Sequence, residues 1–197
     1  MPSDTSPPEI AEPVIEFDRQ VRDAMLPYRS TAPARAIGWL SAAGDQAQLR
    51  VLSAGTVTIG LLRRDPRMVA AGVRMLVAHE AATLAKDFVK KRVVRERPRS
   101  SGRKHPRPRW GRDTRKEKSS FPSGHSAGAM AVAQAVAGAY PEHAAGARAA
   151  ATAVALGRVP GCAHYPTDIA AGSAIGLAVG ALVNSLWYRA FRQFGRR

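Results

Sequence analysis

The sequence predicts an all-α fold, an integral membrane bundle of about five transmembrane helices plus an N-terminal interfacial helix. Three observations predict it. From Ile169 to Tyr188 there is no formal charge over twenty positions, about the length that crosses a hydrocarbon core of roughly 30 Å at 1.5 Å per residue. Four further Ala-, Val- or Leu-rich runs lie at about 46–62, 68–88, 126–140 and 147–158. Within the last apolar run, "AAGSAIGLAVGA" repeats small residues at a spacing of four, which lets helix backbones approach closely. The mean hydropathy of -0.21 would suit a soluble bundle. Polar termini and one long basic loop, rather than the spans, pull it down.

In chain order, residues 1–30 form a polar segment with 6 acidic and 3 basic groups. From Val14 to Tyr28 it can fold as an amphipathic helix lying at an interface. Its start, "MPSDTSPPEIAEP", lacks the basic beginning and apolar core of a cleaved signal, so insertion has to use internal segments. Residues 31–197 are expected to form one membrane-embedded domain. The net charge of +15 predicts an anionic partner. Lys86 to Lys118 holds 15 basic and 4 acidic residues, so +11 of that charge lies in one stretch. Inside it, residues 99–120 are rich in Pro, Gly, Ser and charge and read as a long, mobile loop. The single Cys162 excludes an internal disulfide and a cysteine-built zinc site.

Three clusters converge on a phosphate site. In "KKRVVRERP", Lys90 and Arg97 are seven apart, nearly the same face of a helix that Pro98 would end. In "FPSGHS", Ser123 can cap a helix whose first N–H groups Gly124 leaves uncovered, an end that attracts anions. His125 stands beside those donors. In "GRVPGCAHYPTD", His164 and Asp168 are four apart, so a helix beginning near Tyr165 lets the carboxylate meet the imidazole. A carboxylate fixes a histidine's tautomer and raises the basicity of its far nitrogen, which activates it as a nucleophile. Lys90, Arg97 and Arg158 supply fixed positive charge for phosphate oxygens, and His125 is available as a proton donor. Such a set suffices for phosphoryl transfer without a metal.

The order K-x6-RP, PSGH, R-x5-H-x3-D closely resembles the three signature motifs of the type 2 phosphatidic acid phosphatase family, which includes bacterial acid phosphatases and vanadium haloperoxidases. The motifs run from Lys90 to Asp168. The resemblance implies that Lys90, Arg97 and Arg158 bind phosphate, helped by Ser123 and the backbone N–H of Gly124. It implies that His164 attacks phosphorus, oriented by Asp168, and that His125 protonates the leaving oxygen and then activates water. It implies no cofactor and no metal. Gly157 departs from the pattern, since serine usually precedes the arginine of the third motif. The expectation is a lost hydrogen bond to the phosphate, with weaker binding or altered preference.

The expected activity is hydrolysis of a lipid phosphate or pyrophosphate at a bilayer, with phosphatidate, phosphatidylglycerol phosphate, an isoprenoid pyrophosphate or a prenyl-linked sugar phosphate as possible substrates. A vanadate-dependent haloperoxidase is the alternative within the same family. A basic nucleic-acid-binding helical protein, using the loop arginines and Trp110, is the alternative from another class. It explains the charge but neither the charge-free span nor the spacing of two histidines and an aspartate, so no nucleic-acid partner is expected. With all three motifs on one side, "RRDPR", "PEHAAGAR" and the C-terminal "YRAFRQFGRR" fall on the other and carry the cationic excess that usually faces the cytoplasm. The expected location is the inner (plasma) membrane, with the active site facing the periplasm or outside.

Overall fold

The computed structural model describes residues 12–101, 107–113 and 115–194. Seven α-helices run in the order α1 (Glu12–Met25), α2 (Ala32–Leu40), α3 (Gln46–Leu62), α4 (Pro66–Lys90), α5 (Gly124–Ala139), α6 (Ala144–Leu156) and α7 (Pro166–Phe194). The five apolar runs of the sequence are α3 to α7. Two of these, Pro66–Lys90 and Pro166–Phe191, are long and apolar enough to cross a membrane. The other three have 17, 16 and 13 residues, or about 20–26 Å at 1.5 Å per residue, less than a full hydrocarbon core. Of the about five spans expected, all five runs are helical, but only two of them have the length and apolarity of spans among the described residues.

The bundle is built around α5, which packs on α4, α6 and α7. Its sequence is almost all Ala, Gly and Val, and the core is correspondingly small: Ala78, Ala82, Ala127, Ala131 and Ala135 are fully buried. Small side chains let the axes come close. On α7, Gly172, Gly176 and Gly180 face α5 so tightly that a Cβ at Gly172 would lie 2.3 Å from the Ser123 carbonyl oxygen, and one at Gly176 2.3 Å from that of Ala127. The spacing of four seen in the sequence is thus a packing seam.

Large apolar side chains point the other way. Val51, Leu62, Leu84, Leu182, Leu186 and Phe191 are exposed, whereas Ser53, His79, Ser126 and Asp168 are buried. Apolar outside with small and polar inside is the arrangement of a bundle solvated by lipid rather than water. In α1 it is pronounced: the buried residues are Asp18 and Arg22, while Val14 and Phe17 are exposed.

Three local expectations are corrected. The helix carrying Lys90 does not continue to Arg97; it ends at Lys90, and β-branched Val93–Val94 (β1) pairs antiparallel with Arg109–Trp110 (β2). The 99–120 loop is held in its middle by that ladder and at its far end by a parallel bridge between Arg95 and Ser119 and a 3-10 turn at Lys116–Lys118; its residues 102–106 and 114 lie outside the described residues. The N-terminal α-helix ends at Met25 and reaches Tyr28 as a 3-10 turn, Leu26–Tyr28, and α2, unforeseen because its apolar run is short, follows it. The first eleven residues of the polar N-terminal segment also lie outside the described residues.

Candidate active site

All five bundle helices present an end to one face: the starts of α3, α5 and α7 and the finishes of α4 and α6. The up-and-down order of the helices, with short turns on the opposite side and longer connections on this one, gathers motifs that are far apart in sequence. They surround a cavity of about 510 Å³ whose lining includes Lys90, Arg97, Gly124, His125, Arg158 and His164, together with Lys86, Arg99, Lys116 and Asp45.

Lys90 ends α4 and donates to the Pro122 carbonyl at 3.4 Å. Arg97 reaches the site from the segment after β1. It is held from behind by the Lys116 carbonyl at 2.8 Å and the Ala163 carbonyl at 2.9 Å, and its Nη1 stands 3.3 Å from His164 Nε2. Arg158 follows α6, and its buried Nε has no hydrogen-bond partner. Burial lowers both guanidinium groups, and neighbouring Arg99 adds to the effect. They remain cationic at neutral pH, and an anion in the cavity would relieve their repulsion.

His164 and Asp168 meet as the spacing predicts, because α7 begins at Pro166. Nδ1 lies 3.6 Å from Oδ2, an electrostatic contact longer than a made hydrogen bond. Burial lowers the imidazole to about 4, the carboxylate opposing and Arg97 and Lys90 assisting. At neutral pH it is uncharged. With Arg97 donating toward Nε2 and a carboxylate behind Nδ1, the proton belongs on Nδ1 and the Nε2 lone pair faces Arg97.

Asp168 itself does not line the cavity. It is fully buried, taking Arg95 Nη1 at 2.6 Å on Oδ1 and, on Oδ2, the Ser120 hydroxyl and the Tyr165 N–H at 2.9 Å. Ser123 is also fully buried behind the wall, its hydroxyl capping α5 by accepting from Ser126 N at 3.4 Å and Ser126 Oγ at 2.9 Å. The cap expected at Ser123 is present, while its hydroxyl is engaged away from the cavity. Gly124 lines the cavity beside Lys86, whose Cε would stand in ordinary van der Waals contact, 3.4 Å, with a Cβ there.

The sequence reading missed Asp45, Arg95 and Asp18. Asp45, at the N-terminus of α3, pairs with His125 Nε2 at 2.5 Å. Its position just before an apolar run was the available signal. Arg95 and Asp18 gave none, being single charges in polar segments. Gly157 also proves to be a packing residue: a Cβ there would lie 2.9 Å from Ser41 Cβ. Ser41 donates to the Val154 carbonyl at 2.8 Å and starts the 3-10 turn Ser41–Gly44 that leads to Asp45.

No curated protein matches the chain at a significant level. Two solved structures share its fold. The crystal structure of the first transmembrane PAP2 type phosphatidylglycerolphosphate phosphatase from Bacillus subtilis is 20% identical with a TM-score of 0.66, over 90% of this chain and 87% of that one. The crystal structure of Aquifex aeolicus LpxE is 20% identical with a TM-score of 0.58, over 85% and 92%. A family model, that of the PAP2 superfamily, matches residues 70–192, which hold all three motifs. With that match spanning more than half its length, the chain belongs to the PAP2 superfamily.

Proposed function

We propose that the protein is a membrane phosphatase that hydrolyses a lipid phosphate or pyrophosphate monoester through a phosphohistidine at His164, without a metal. The observation that carries this reading is the placement of His164, with buried Asp168 behind its Nδ1 and its Nε2 beside Arg97, in the wall of a cavity lined by cations. Lys90, Arg97 and Arg158 hold the nonbridging phosphate oxygens and supply the charge stabilisation that a metal provides elsewhere. Nε2 attacks phosphorus, forming the P–N bond as the P–O bond to the lipid breaks. His125 gives its proton to the departing oxygen, with the Asp45 carboxylate beside its ring. His125 then takes a proton from water; the water oxygen bonds to phosphorus, the P–N bond breaks, and inorganic phosphate leaves. The exposed apolar surface supports a bilayer location, and the cationic connections opposite the site support an outward-facing or periplasmic active site.

The test is phosphate release from a panel of lipid phosphates and pyrophosphates by detergent-solubilised protein in EDTA. Release is expected to survive chelation, to be blocked by vanadate and to vanish in His164→Ala. His125→Ala is expected to slow turnover and to accumulate an acid-labile phosphoenzyme. Full activity in His164→Ala sinks the assignment.

A further inference from the structure

The N-terminal helix α1 sends one carboxylate into the interior. Asp18 is fully buried although the residues on either side of it, Phe17 and Arg19, are not. Its Oδ2 accepts from Arg95 Nη2 at 2.6 Å, with side chains only 1% and 2% exposed. Arg95 Nη1 is at the same time 2.6 Å from Asp168 Oδ1 and 2.7 Å from Thr167 Oγ1. The Thr167 hydroxyl donates in turn to Asp18 Oδ2, and the Thr167 N–H donates to Asp18 Oδ1 at 3.1 Å. Asp18 therefore serves as a capping acceptor, supplied from α1, for the first turn of α7, the turn that carries Asp168.

The charges do not cancel. One guanidinium stands between two carboxylates, leaving one negative charge in a region where solvent screens little. If Arg95 paired with Asp168 alone, that carboxylate would be neutralised where His164 needs its charge.

We infer that Asp18 is a positioning residue for phosphoryl transfer: by sharing Arg95 and capping α7, it leaves the charge of Asp168 directed at His164, and so makes α1 part of the catalytic apparatus. The inference rests on the phosphohistidine reading. The charge that develops on His164 as Nε2 bonds to phosphorus is then stabilised by a carboxylate that is only half committed to Arg95. The other groups facing His164 are Arg97 from the segment after β1, Lys90 from α4, His125 from α5 and Arg158 from the segment after α6. None of them touches Asp18, so a change there reports through Arg95 and Asp168.

The experiment compares wild type, Asp18→Asn, Asp18→Glu and Arg22→Ala, the last loosening the other buried anchor of α1, which reaches Ser101 Oγ at 3.4 Å. In Asp18→Asn, kcat is expected to fall roughly tenfold with KM nearly unchanged, and the acid limb of kcat/KM to move to lower pH. Asp18→Glu, which keeps the charge, is expected to restore the limb in part. Arg22→Ala is expected to lower the melting temperature without moving it. A histidine NMR titration of His164 in the same variants needs no turnover, and is expected to show His164 titrating at lower pH in Asp18→Asn. An acid limb and a titration unmoved in folded Asp18→Asn, or moved equally in Arg22→Ala, overturn the inference. Absence of turnover in wild type sinks the phosphohistidine reading instead, and the titration still decides whether Asp18 acts on His164.

Discussion

The site holds two histidine–aspartate pairs built on opposite principles. Asp168, behind His164, is fully buried and gripped by Arg95, Ser120 and the Tyr165 N–H, so its position is decided before any substrate arrives. Asp45, beside His125, is about half exposed and pairs with the ring at 2.5 Å from the start of a different helix. A nucleophile must sit in one place with one lone pair presented, and a preorganised carboxylate provides that. An acid that first protonates a leaving oxygen and later deprotonates water has to change partners, and a solvated carboxylate permits it. The difference follows from location: one pair sits beneath the cavity wall and the other at its rim.

The largest test of that contrast is Asp168→Asn. It keeps the shape but removes the charge and upsets the donors around it, and turnover is expected to fall on the order of 10³-fold. A drop of only a few-fold would mean that the buried pair is structural. The acid limb is the next test. Because burial lowers His164 from 6.5 to about 4, the neutral, nucleophilic form persists from neutral pH down to about 5. The part of the pH profile that follows His164 is then expected to fall about tenfold per pH unit below about 4. A limb for His164 near 6.5 would show that the imidazole is solvated when substrate binds.

Asp45→Asn should cost less than Asp168→Asn, roughly tenfold or under in kcat with KM preserved, because a half-exposed partner is screened by water. A loss as large as that of Asp168→Asn would erase the distinction between the two pairs. Smallest is Gly157→Ser, which places the serine usual in the family into a space already filled by Ser41. It is expected to lower stability by about 1–2 kcal/mol and activity a few-fold, by pushing aside the turn that leads to Asp45. Raised activity with unchanged stability would mean that the hydroxyl is accommodated and useful.

The sequence by itself determined the bundle helices and the motifs that meet at the cavity. Five apolar runs became α3 to α7, and two of them, α4 and α7, have the length and composition of a span. The four-residue spacing of His164 and Asp168 translated directly into contact, since one turn of helix spans it. Lys90 and Arg97 meet at the cavity as well, but by a different route. Their seven-residue spacing suggested one helix face, whereas the chain leaves the helix at Lys90 and returns Arg97 through an extended segment. Only the tertiary structure decided that Gly157 makes room for Ser41 and that Asp45 meets His125. It alone also joined Asp18 to Arg95, across 77 positions of sequence, and Arg95 to Asp168, across 73. The physical reason is one of range. Helix periodicity carries information over one or two turns, while the partner of a buried charge is chosen by whichever element happens to close over it.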